Sequence, residues 1–89
     1  MPEISRFYGI RITMYHRDIG RHNLPHIHAE YQGAKAVYSI PDGRLLSGKL
    51  PRRQKNNIEE WIEQHQDELM GNWQLAIANG SLFQIDPLV

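Results

Sequence analysis

The hydrophobic period of the chain changes near Leu50, from two residues to between three and four, and this change limits the fold more than any single motif. Over residues 7 to 17, "FYGIRITMYHR", the residues Tyr8, Ile10, Ile12 and Met14 alternate with Arg11, Thr13, Tyr15 and Arg17. That is the pattern of a half-buried strand. Residues 18 to 25, "DIGRHNLP", carry Gly20, Asn23 and Pro25, and Pro25 biases Leu24 toward an extended backbone, so a hairpin loop is expected. "HIHAEYQ" alternates again, with Ile27, Ala29 and Tyr31 inward and His26, His28 and Glu30 on the opposite face. "AKAVYSI" reads as a third strand, "PDG" at residues 41 to 43 as a turn, and "RLLSG" as a short fourth strand.

Beyond Leu50, Ile58, Trp61, Ile62, His65, Leu69, Trp73, Ala76 and Ile77 step by three or four and form one helical stripe. Pro51 suits a first helical turn, and Gly80 suits the C-terminal stop. The stripe is long for one helix, so a break is expected between His65 and Asp67. Trp61, Trp73, Met14, Met70, His16 and His65 fall among the packing residues of these patterns. The tail "SLFQIDPLV" is expected to lie extended, with Phe83 and Ile85 packed. Sheet first and helices second predicts an α+β fold: an antiparallel meander of three to four strands, covered on one face by C-terminal helices. A chain of 89 residues cannot divide its core, so residues 1–89 form a single domain, with 1–49 the meander, 50–80 helical and 81–89 the tail.

Ten Lys and Arg balance ten Asp and Glu, so no global field draws the chain to nucleic acid or anionic lipid, and any basic site must be local. The absence of cysteine removes disulfides, thiolate metal sites and cysteine nucleophiles. No apolar run has the length of a signal peptide or membrane span. A cytoplasmic protein without membrane contact is the expectation.

"RHNLPHIHAEY", residues 21 to 31, holds three of the five histidines. Alternate strand residues lie ~6.6 Å apart and point the same way, so His26 and His28 can converge on one divalent ion such as zinc, at ~2.0 to 2.1 Å from each nitrogen. The third ligand is open among Asp18, His22 and Glu30. The same imidazoles suit general acid-base work on a phosphodiester, because histidine titrates close to neutral pH. Arg11, Arg17 and Arg21 are near enough in sequence to balance a phosphate. The plainer alternative is a polar strand face hydrogen-bonded to Glu30 or to tyrosine hydroxyls.

A second feature is the basic run "GRLLSGKLPRRQK", with Arg44, Lys49, Arg52, Arg53 and Lys55 and no acid. Cations at a helix start oppose the macrodipole unless they face a phosphate or an acidic partner. The alternative is a solvated helix face on which Lys55 pairs with Glu59.

Four blocks in order, "MPEISRFYGIRITMY", "HNLPHIHAEY", "GKLPRR" and "EEWIEQHQDELMGNWQLA", together resemble the bacterial domain-of-unknown-function family 4160 over essentially the whole chain. Its members are small proteins often encoded beside a second small protein of family 2442. The resemblance implies an α+β domain and a toxin-antitoxin-like role, with nuclease activity proposed for some members. The family's histidine block falls on His22, Asn23, Pro25, His26 and His28, and its junction on Leu50, Pro51 and Arg52. Arg21 stands where the family usually has an acid, and Leu24 where it usually has a proline; Asp18 is the carboxylate available in place of that acid.

Two functions follow as expectations. In the first, His22, His26 and His28 cleave nucleic acid, with or without a metal, and the protein is a toxin held by a small cognate partner. In the second, the protein is a non-enzymatic module that docks that partner or operator DNA through Arg17, Arg21, Arg44, Lys49, Arg52 and Arg53. Exposed sheet edges would also allow a homo-oligomer.

Overall fold

Tyr8 and Gly9 have φ of 47° and 79°, the left-handed pair that a type I′ hairpin turn requires, so the first alternating segment is two strands rather than one. The structure, a computed structural model, describes residues 3–15 and 24–89. The hairpin loop expected before Leu24, together with His16, Arg17, Asp18, Arg21 and His22, lies outside the described residues. The turn joins β1 (Glu3–Phe7) to β2 (Ile10–Thr13), with Phe7 opposite Ile10. Tyr8 is consequently 58% exposed and not part of the inward face.

The device repeats. Gln32 and Gly33, at φ of 46° and 86°, join β3 (His26–Tyr31) to β4 (Ala34–Ser39), with Tyr31 opposite Ala34. β5 (Leu45–Gly48) follows the Pro41–Gly43 turn, in which the Asp42 carboxylate accepts the Arg44 N–H at 3.1 Å. The five strands form one antiparallel sheet in sequence order, one strand more than the sequence pattern predicts. The extra strand is β1, whose "EIS" continues the alternation N-terminal to the turn.

Two helices follow, α1 (Arg52–Gln64) and α2 (Gln66–Ile77), with Pro51 just before the first helical residue. The expected break falls on His65, at φ −120° and ψ 33°. Ile62's carbonyl there accepts the Gln66 side-chain amide at 3.1 Å, so the interruption does not strand it. The helical stop is set by Asn79 rather than Gly80. Asn79 takes φ of 61°, its N–H bonds the Ala76 carbonyl, and the Gly80 N–H bonds the Leu75 carbonyl, which is a Schellman closure.

The helices bury one face of the sheet. Ile4, Ile10, Ile12, Met14, Ile27 and Tyr38 share a core with Ile58, Trp61, Ile62, Leu69, Trp73 and Ala76. Ile77, placed on the stripe by its spacing, lies at the end of α2 beyond the sheet and is 44% exposed. The tail runs extended along β1: Ile85 N–H bonds the Ile4 carbonyl, the Trp61 indole N–H bonds the Asp86 carbonyl at 2.8 Å, and Ile85 is buried. Phe83, by contrast, is 40% exposed, because the tail is gripped there through its backbone. Among the described residues no helix is long and apolar enough to cross a membrane.

Candidate functional site

Antiparallel register lays Thr13, His28, Val37 and Ser47 in one row across four strands, on the face the helices do not cover. Arg11, Glu30 and Lys35 form the next row. Together with Tyr15 these side chains line a groove of about 370 Å³. Its far wall is β5, where Gly48 takes φ of 70° and its Cα passes so close to Lys35 that any side chain would strike that residue's carbonyl.

The charged row is internally matched. Glu30 faces Arg11 at 3.6 Å and Lys35 at 4.0 Å, and Arg11 reaches the Glu3 carboxylate at 3.0 Å. Exposed pairs like these contribute little to stability, ~0–1 kcal/mol each, but they fix where the cations sit. Hydrogen bonding from Arg6, with the Arg11 guanidinium adding to it, holds the Glu3 carboxyl below the usual carboxylate range.

The two strand histidines are not equivalent. His28 is half-buried and lines the groove, with the Tyr15 ring edge-on at 4.6 Å. His26 was expected on the same open face but is only 1% exposed. Trp73 of α2 packs against the start of β3, its ring 5.1 Å from the His26 ring. The His26 Nδ1–H donates to the Leu24 carbonyl at 2.6 Å, since a carbonyl can only accept. A backbone carbonyl thereby fixes the orientation of this imidazole. His26 and His28 ring centres are 5.4 Å apart.

Of the residues singled out in the sequence, the structure brings together His26 and His28, with Arg11 and Tyr15 beside them. Glu30 shares the face but is committed to Arg11 and Lys35. Among the described residues no group of three His, Asp or Glu side chains could hold a metal ion. Arg44, Lys49, Arg52 and Arg53 are all exposed, and none lines the His28 groove. Lys55 makes the expected pair with Glu59, at 2.9 Å. His65 is tied to Glu68 at 2.6 Å, and its ring packs against Trp61. Lys35 and Ser47 were missed; the two-residue turn "QG" fixes Lys35 opposite Glu30 and was the available signal.

No curated protein and no solved structure matches the chain. Residues 9–74 match the model of a family described as a domain of unknown function, DUF4160. That stretch takes in the groove, the histidine block and most of both helices, and the chain belongs to this family.

Proposed function

We propose that the groove cleaves phosphodiester bonds in nucleic acid, with His28 as the proton acceptor, and that the protein is the growth-inhibiting half of a toxin-antitoxin-like pair. The observation that carries this reading is the position of His28, in the groove between Tyr15 and His26 and one row from Arg11 and Lys35. In hydrolysis a water oxygen bonds to phosphorus while His28 takes its proton; the P–O bond to the departing nucleoside breaks, and that oxygen takes the proton back from the His28 imidazolium and leaves as an alcohol. Acid-base assistance of this kind contributes ~10²- to 10⁴-fold. Arg11 and Lys35 are the cations available for the charge that develops on the phosphate. His26 is a positioning residue, held by Leu24 and Trp73 and supporting the His28 ring from behind. If the pair instead holds a divalent metal, zinc fits the ligand type.

The test is His28→Gln in the full chain, assayed for RNA and DNA cleavage and for growth arrest on expression. Loss of both in a protein that melts like wild type is expected; a folded variant that still cleaves and arrests growth ends the reading.

One observation favours docking without chemistry. The groove's cations already face Glu30 and Glu3, and the chain is neutral, which suits a small protein partner better than bare DNA.

A further inference from the structure

The helical side of the sheet carries a second groove, of about 460 Å³, bounded by the Tyr8 turn, Tyr31, one flank of α1 and the end of the tail. Strand alternation separates it from the first: Tyr31 opens onto this groove, while its neighbour Glu30 lines the other.

Three of its features are not explained by folding. Tyr8 occupies a left-handed position that favours Gly or Asn, at a cost on the order of 1 kcal/mol, yet its ring stays 58% exposed and recovers little through burial. Gln54 is only 8% exposed and opens onto the groove, and its side-chain amide makes no hydrogen bond among the described residues. Finally, α1 begins with no acid in its first turn and no side chain capping its N–H groups, and it places Arg53 there. Arg53 thus stands at one end of the groove, with Glu60 farther along the same flank.

We propose that this groove binds a nucleotide, with the base against Tyr8, the phosphate at Arg53 and the start of α1, and the amides of Gln54 and Asn57 on the base edge. Each part meets matching chemistry. A tyrosine face stacks on any base, and an arginine at a helix N-terminus is suited to a phosphate. A side-chain amide offers both a donor and an acceptor, as a base edge requires. Glu60, farther along the same flank, can accept from ribose hydroxyls. The volume lies in the range of small-ligand sites. The site is independent of the His28 reading, and a free mononucleotide or the phosphorylated end of a strand would present the same groups.

The experiment is titration of the full chain, by calorimetry and by amide chemical shifts, with AMP, adenosine, inorganic phosphate and a short 5′-phosphorylated oligoadenylate. AMP is expected to shift the resonances of Tyr8, Arg53, Gln54 and Asn57 and to bind more tightly than phosphate or adenosine. Tyr8→Asn, a residue the turn prefers, should weaken AMP at least about fivefold by loss of stacking. Arg53→Gln should weaken AMP similarly and leave adenosine unchanged, while His28→Gln should change neither. An oligoadenylate that outbinds AMP identifies a strand end as the ligand, and equal affinities identify the free nucleotide; both support the site. AMP that shifts none of these residues, binds no better than phosphate, or ignores both groove substitutions overturns it.

Discussion

His26 and His28 stand 5.4 Å apart, ring centre to ring centre, yet one is buried beside Trp73 and the other lines an open groove. Two imidazoles on one strand face thus have separable roles. His28→Gln removes the groove's imidazole and its contacts with Tyr15 and His26, and should cost about 1 kcal/mol or less. His26→Ala leaves the Leu24 carbonyl unpaired and a void against Trp73, and should destabilise by about 2–4 kcal/mol. Thermal melting separates the two, at about 4–8 °C per kcal/mol for a domain of this size. Equal melting temperatures for the two variants would contradict the burial difference.

Asn72 is fully buried, and its side-chain amide bonds both the N–H and the carbonyl of Phe83, at 3.0 and 2.8 Å. Asn72→Ala should cost about 2–4 kcal/mol, since two bonds are lost and the Phe83 backbone groups are left with neither partner. Limited proteolysis is expected to cut the tail after residue 80 in this variant well before wild type. An unchanged cleavage pattern would mean the tail is held elsewhere.

Tyr38 has a buried hydroxyl without a hydrogen-bond partner among the described residues. Burial, with the Glu59 charge adding to it, pushes its ionisation from 10.0 up to about 12. Between those values the unfolded chain releases the proton while the folded chain retains it, so stability is full below pH 10 and falls as pH rises toward 12. Tyr38→Phe should leave stability at neutral pH unchanged or raise it by up to ~1 kcal/mol, and should lessen the alkaline decline. Urea melts at neutral and alkaline pH measure both; a large loss at neutral pH would show that the hydroxyl has a partner.

Gly48 has φ of 70°, and a Cβ there would collide with the Lys35 carbonyl oxygen. Gly48→Ala must move β5 away from β4 and is expected to cost about 2 kcal/mol or more. It should also open the groove wall, so any ligand of the His28 groove binds more weakly even where the variant is largely folded. Amide exchange in β4 and β5, compared with β1 and β2, shows whether the loss is local.

Arg52 and Arg53 are exposed and lie outside the His28 groove. Changing both to Gln should leave cleavage of a strand without a 5′-phosphate within about twofold, while weakening any complex with an acidic partner and flattening its salt dependence. Cleavage that falls with the double substitution would extend the working surface to the start of α1.

Most of the fold was legible because it rests on period. The strands centred on Ile12, Ile27 and Ala36, the helices through Trp61 and Trp73, and the break at His65 all follow from which residues recur on a face. The first hairpin was hidden because Tyr8 continues the apolar alternation through a turn that usually carries Asn or Gly. The candidate site was legible in part: alternation paired His26 with His28, and nothing local distinguished them.

The sequence by itself determined that a two-residue period precedes a helical one, and hence a meander with one face covered and one face able to present His28. It also determined, by charge balance, that any anion site must be local. Only the tertiary structure decided that His26 is buried, with Trp73, nearly fifty residues away in the chain, against its ring, and that His28 lines the groove. It alone set Lys35 and Ser47 beside His28, and Tyr8 beside Gln54 and Arg53. The reason is physical: periodicity records which way each residue faces within its own element, whereas solvent exposure and side-chain company are set by the elements that dock against it.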